Sequence, residues 1–500
     1  MGTVPTFQFE KKWGLSPLFS LRSRVVTYLI TILVYLLILV VFGLRISKRL
    51  KKKEDFLVAG RTLTAPVLVG TLLASWIGSG DIFSVSNLSY NHGYSSLIGS
   101  AGGWIGIIVV YFVAGRVRRF GQFTVPDIME VRYNKWARIF ATITTIIAYI
   151  TIVSYQFRGG GWVLNLVTDG RIGEQEAILI VAVFVIFYTM LAGMLSVAYL
   201  DVFNGIIMIA GISLALPFII KTAGGLETIA ANVTPRAHAF LGNMTWIEAM
   251  GYFVPTLLLA LGNSNMYQRF FSAKNEREAK KSVIGWVIGV ILLGVVLQSI
   301  AVVGSSYFKG LETSDAGRII IFVAHKGVPV AVGCALMAAI VAIIISTANS
   351  FLLVPATNVV RDIYQRFINP DLPDKKMILF SRLVVIVLGA IAFALIRFFP
   401  TILNAAYAAY TVYGAGITPA LMAVFFWKRA TVAGGVFSIL GGMTTTIIWE
   451  IINKIHGELP FGIPAIYPAL ICSLVLLIGI SLASPKPDPE KWKPFFKQEA

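Results

Sequence analysis

The apolar run 64–93 is long enough to cross a bilayer, yet its middle reads Gly78-Ser79-Gly80-Asp81. Glycine loses the most backbone entropy on ordering, so two glycines around a serine loosen a helix. An aspartate at membrane depth is costly unless it faces a cavity or a partner. A helix that breaks at mid-depth also leaves N–H and C=O groups unpaired. Such backbone survives in a membrane only where protein buries it or where it lines a cavity. The stretch is therefore expected to be a discontinuous helix forming half of a binding site. The plainer alternative is a glycine-rich packing face with a paired aspartate.

The rest of the chain supplies the context for the first reading. Further apolar spans fall at 25–44, 95–115, 137–167, 176–192, 195–220, 246–268, 282–307, 328–360, 377–398, 401–427, 431–452 and 464–483. With 64–93 this predicts an all-α polytopic membrane protein of about 13 helices. Hydrophobic residues make up 57% of the chain and charged ones 13%, which leaves no soluble domain to carry the net charge of +18. A nucleic-acid surface is not expected on that ground. The basic residues instead mark topology. Arg45 to Lys53, Arg116 to Arg138, Arg269 to Lys281, Arg361 to Arg382 and Lys428 onward fall in alternate loops. The N-terminus is expected outside and the C-terminus inside. No cleavable leader pattern is visible. Cys334 and Cys472 lie in apolar runs, so neither a disulfide framework nor a metal site is expected.

A second interruption has the same character. The span beginning near Trp246 carries Pro255 and then Gly262-Asn263-Ser264-Asn265, all poor helix formers. Five spans run from the first interrupted helix to Lys221 and five from the second to Trp427. An odd number per group makes the second enter from the opposite side, which is the signature of an inverted repeat with its site between the broken helices. The expected organisation is an extracellular segment 1–24, an extra helix 25–46, repeats 64–222 and 246–427, two peripheral helices 431–483 and a mobile cytoplasmic tail 484–500. Gly99, Gly102, Gly103 and Gly106 are expected to permit close helix contact.

Polar residues inside the spans define candidate sites. In 328–360, Ile343, Ser346, Thr347 and Ser350 are spaced i, i+3, i+4, i+7 and share one face of an aliphatic helix. Hydroxyl and carbonyl oxygens suit a small hard cation. Back-bonding to the i−4 carbonyl is the common alternative for such hydroxyls, but their clustering opposite a broken helix favours an ion site. Asp201 lies one to two turns inside the cytoplasmic interface, where it either serves a cation or faces water. Arg158 is read as the one Lys or Arg deep within a span. It either snorkels outward or pairs with Asp81, and the cost of a lone buried charge favours the pair. Tyr407, Tyr410 and Tyr413 belong either to an interfacial belt or to a gate.

These motifs resemble the sodium/solute symporters, the family of sodium-coupled sugar, proline, pantothenate and sialic-acid carriers. The resemblance spans about 25–483. EDFLVAGR at 54–61 is similar to the family's lead-in to its first core helix, MYQRFFSAKNEREAKKSV at 266–283 to its sixth-helix exit, and IISTANS with RDIY at 361–364 to its eighth core helix. The resemblance implies a leucine-transporter-like five-plus-five inverted repeat. It implies a common sodium (Na+) site at the carbonyls of Ala74, Ile77 and Ile343 and the hydroxyls of Ser346 and Thr347. A possible second sodium would lie at Asp201, Ser346, Asn349 and Ser350. Asn349 stands where a hydroxyl is usual and Asn204 where Gln is more common, which leaves stoichiometry open. Substrate contacts would come from Trp76, Gly80, Asp81, Ser84, Arg158, Asn263 and Tyr410. Gly262-Asn263-Ser264 departs from several members, so no solute class transfers.

The expectation is a symporter that couples inward sodium movement to uptake of a small polar solute by alternating access. It would be a multi-pass protein of a plasma (bacterial inner) membrane, with the solute, sodium and the bilayer as partners and no obligate protein partner. Proton coupling through Asp81 or Asp201 is the nearest alternative. A non-transporting solute sensor is the alternative from another class. An enzyme is disfavoured, since no metal cluster, phosphate loop or Ser-His pairing is present and there are only four His.

Overall fold

The computed structural model describes residues 17–47, 58–191, 194–232, 240–311, 313–457 and 459–496. The N-terminal segment before Pro17, the basic run 48–53, the first residues of the EDFLVAGR motif and residues 497–500 lie outside that set. Among the described residues the architecture is helical throughout. The principal helices are α1 (Pro17–Ser47), α2 (Ala65–Trp76), α3 (Val85–His92), α4 (Leu97–Phe120), α5 (Val125–Arg132), α6 (Lys135–Val167), α7 (Glu174–Leu191) and α8 (Met194–Thr222). The second half holds α9 (Trp246–Gly262), α10 (Ser264–Ser272), α11 (Glu276–Tyr307), α12 (Val330–Asn358), α13 (Asp374–Leu395), α14 (Ile402–Gly416), α15 (Thr418–Phe426), α16 (Val432–His456) and α17 (Ile466–Ala483).

Among the described residues, eleven helices are long and apolar enough to span a membrane. The two interrupted spans account for the difference from thirteen. The first half of one, α2, is only 12 residues, and the other is divided into α9 and α10 at Asn263. Local sequence explains where helices start. Asn134 caps α6 by accepting from the N–H groups of Trp136 and Ala137, and Thr245 with Glu248 forms a capping box on α9.

The centre of the bundle is α6, α12 and the span formed by α14 and α15, whose apolar windows are 72%, 78% and 83% buried, against 28% for both α1 and α17. The glycine expectation for α4 is met where α4 crosses α9. A Cβ on Gly102 would lie 2.1 Å from the Phe253 carbonyl oxygen, and one on Gly106 would lie 2.6 Å from the Ala260 Cβ. Only glycine allows backbones that close.

The basic end of the bundle carries an ion-pair cluster. Arg138 meets Asp127 at 2.6 Å and Asp362 at 2.5 Å and also pairs with Glu130. Arg361 reaches Asp127 at 3.3 Å and Arg366 reaches Glu130 at 2.8 Å. These contacts tie α5 to the segment following α12. The tail corrects an expectation of mobility. Phe495 is buried, with its ring centroid 4.7 Å from that of Phe120 and 5.9 Å from that of Phe425. Apolar surface on three residues outweighs the Pro/Lys-rich composition that surrounds them.

Candidate functional site

The first break leaves its polar backbone to side chains from distant helices. Helix α2 ends as Ile77 turns extended, and a π turn at Gly80–Ser84 leads into α3. The Thr347 hydroxyl of α12 donates to the Ile77 carbonyl at 2.9 Å and sits 3.5 Å from that of Ala74. Gln156 of α6 accepts from the Ser79 N–H at 3.0 Å, and Asp81 accepts from the Gly78 N–H at 2.8 Å. Gly78 carries no Cβ because one would lie 2.9 Å from Gln156 Nε2 and 3.0 Å from Thr347 Cγ2.

The second break is met in the same way. Tyr149 of α6 donates to Asn263 Oδ1 at 2.7 Å and accepts from the Asn265 N–H at 3.0 Å. Tyr413 of α14 donates to the Gly262 carbonyl at 2.8 Å and accepts from the Ser264 N–H at 2.9 Å. Both breaks are therefore satisfied by protein, as mid-depth backbone must be.

Beside the first break lies a buried charge network. Asp201 is 1% exposed, which removes the water-facing alternative. Its Oδ1 accepts from Ser346 at 2.5 Å, and its Oδ2 accepts from Thr71 at 2.7 Å, Ser75 at 3.1 Å and Arg269 at 3.1 Å. The Arg269 side chain is fully buried and also donates to Ser350 at 2.9 Å, to Thr71 Oγ1 at 2.9 Å, to Ser75 and to Asn265. Arg269 thus sits inside the protein and not in a basic loop, and Arg158 is not the one deep cation. The break at Asn263 lets the short α10 tuck against α2, a displacement that a continuous-helix count along the sequence does not contain. Asn349 is turned away and accepts from Thr189, and Asn204 accepts from Tyr35 at 2.9 Å.

Of the candidate residues, Ala74, Ile77 and Thr347 converge at the first break, while Ser346 and Ser350 face Asp201 and Arg269. Trp76, Gly80, Asp81, Ser84, Asn263 and Tyr410 line one cavity between the two breaks, joined by Tyr155 and Tyr407, which the substrate set did not include. The Tyr155 and Tyr410 hydroxyls are 3.4 Å apart. A Cβ on Gly80 would lie 2.8 Å from the Tyr410 hydroxyl. Arg158 is absent from this cavity and does not pair with Asp81. It donates to the carbonyls of Phe399 at 2.9 Å and Pro400 at 3.1 Å, and to that of Ile396. It thereby covers the orphan acceptors beyond the end of α13.

Two interrupted helices meeting around a cavity that both of them line have the geometry of the leucine-transporter-like, five-plus-five inverted-repeat class. The chain belongs to the sodium:solute symporter family, whose sequence pattern matches residues 56–442. It is accordingly a multi-pass sodium-coupled solute symporter with sodium as the coupling ion. Among curated relatives it is 27% identical to a sodium/proline symporter of Staphylococcus aureus, over 97% of this chain and 96% of that one. In fold it matches a substrate-bound, outward-open sodium-coupled sialic acid symporter (TM-score 0.79, 17% identity, 92% and 98% of the two chains). A nucleobase-cation-symport-1 family transporter in a closed conformation matches at TM-score 0.61, with 11% identity and 88% and 97% coverage.

Proposed function

We propose that the protein couples inward sodium movement to uptake of a small polar organic solute by alternating access. The sodium would be held by the Ala74, Ile77 and Ile343 carbonyls, the Thr347 hydroxyl and the Ser346 hydroxyl, whose oxygen keeps a lone pair for the ion while its proton is donated to Asp201. The observation that carries this reading is the Thr347 hydroxyl lying against the freed carbonyls at the end of α2. The negative end of a half-helix dipole at the same point favours a cation. The solute site is the cavity beside it, so occupancy of one stabilises the backbone that builds the other.

Arg269 against Asp201, and Asn349 against Thr189, support one sodium per cycle over two. A guanidinium already neutralises the carboxylate that a second ion would require. The repeats are assigned to 64–222 and 246–427, flanked by the helix 25–46 and by 431–483. The chain is assigned to a plasma (bacterial inner) membrane with its basic end cytoplasmic. The test is solute accumulation in proteoliposomes under an inward sodium gradient at fixed pH. Accumulation driven by a proton gradient without sodium would refute the reading.

A further inference from the structure

The cavity between the breaks carries charge of one sign. Among the described residues that line it, Asp81 holds the only carboxylate, and no Lys, Arg or His is present. The cation expected to pair with it, Arg158, is committed to carbonyls beyond the end of α13. Asp81 is half-buried, has no ion pair among the described residues, and is met by backbone N–H groups alone, that of Gly78 at 2.8 Å and its own. A carboxylate at this depth without a countercharge favours an occupant that supplies one.

The rest of the wall fits that occupant. Trp76, Tyr155, Tyr407 and Tyr410 line the cavity around Asp81, and aromatic rings attract ammonium groups through their quadrupoles. Tyr407 and Tyr410 are stacked edge to face, with centroids 5.5 Å apart. Two buried donors on the same wall lack partners: Asn263 Nδ2, in a side chain with 0% exposure, and Ser84 Oγ, with 5%. Native proteins leave few such groups unsatisfied. A ligand with an accepting oxygen would satisfy them.

We propose that the transported solute carries an ammonium centre held by the Asp81 carboxylate among these aromatic rings. Its hydrogen-bond-accepting pole is met by Asn263 Nδ2 and Ser84 Oγ. An amino acid or a small amine has this chemistry; a hexose lacks the cation, and a free carboxylate is repelled. The assignment rests on the sodium-symport reading of the same site.

The experiment measures equilibrium binding to the purified protein in NaCl and in KCl. The probes are L-proline, L-alanine, L-lysine, glycine betaine, choline, D-galactose and propionate. At least one ammonium probe is expected to bind in sodium, and Asp81→Asn is expected to weaken it at least about tenfold. Asn retains an oxygen for the Gly78 N–H, so the break is preserved. Unchanged stabilisation of the variant by NaCl relative to KCl checks that it is folded, and Tyr410→Phe reads the aromatic wall separately. Sodium-dependent binding of galactose or propionate that survives Asp81→Asn would overturn the proposal and leave symport standing. Binding of an ammonium probe that is lost in Asp81→Asn but indifferent to sodium would support the Asp81 contact and refute the sodium site placed beside the cavity. Failure of every ammonium probe to bind would overturn it.

Discussion

Asp201 and Arg269 should behave as one unit, and removing either alone should cost far more than removing both. Neither side chain is exposed by more than 2%, so Asp201→Asn leaves a guanidinium in a dry site with its countercharge gone. Breaking such a buried pair from one side typically costs about 3–5 kcal/mol. Arg269→Met alone strands the carboxylate, and Ser346, Thr71 and Ser75 cannot neutralise it. The double variant strands no charge and should lose only some hydrogen bonds, at about 1 kcal/mol each. A coupling energy of roughly 2 kcal/mol or more follows, well above the few tenths seen for independent sites. Arg269→Lys should not rescue, because a point-like ammonium cannot serve the acceptors spread around the planar fork. The measurement is reversible unfolding of the four proteins in mixed micelles. Additive losses would show that the pair is not one unit and would remove the argument that Arg269 occupies the place of a second sodium.

Thr347→Ala should raise the sodium concentration for half-maximal uptake roughly tenfold, the equivalent of one lost ligand bond of about 1.4 kcal/mol. Thr347→Ser should restore it; an unchanged requirement in folded Thr347→Ala would move the sodium elsewhere. A cysteine at Lys274 should react with an impermeant reagent only from the cytosolic side, and reaction in intact cells would reverse the assigned orientation. At the basic end, burial alone would push the Glu130 carboxyl up, but hydrogen bonds from Arg366 and Arg138 outweigh it and hold the group below its ordinary value of 4.5. Its folded form is therefore the better acid. The contribution to stability is complete above about pH 4.5, the unfolded value, and is lost as pH falls through the lower folded one. Glu130→Gln should flatten that part of an acid-unfolding profile; an identical profile would show that the cluster contributes nothing there.

Much of the architecture was legible because membranes restrict what backbone can do. Gly78 to Asp81 and Gly262 to Asn265 declared both interruptions through residue types that weaken helices, and the Ile343-to-Ser350 spacing declared a polar face. What escaped was who answers the broken backbone. Gln156 and Tyr149 sit in a helix otherwise read by hydropathy, and their partners are 77 and 114 residues away. No local period encodes such pairs. Arg269 reads as a loop residue for the same reason, since a count along an unbroken rod puts it at the surface. Arg158 needed the end of α13, and the docked tail needed Phe120 and Phe425, all distant in sequence.

The two breaks also impose a constraint of length. Tyr149 serves one and Gln156 the other, seven residues apart on α6. Seven residues make nearly two turns, about 10 Å of rise with about 20° of drift. One side of one rod therefore fixes both the spacing and the azimuth of the two sites. Adding a single residue between them would rotate one anchor about 100° away from its break while leaving composition and hydropathy untouched. This segment of α6 acts as a gauge, so its number of residues is as tightly constrained as the buried side chains it carries.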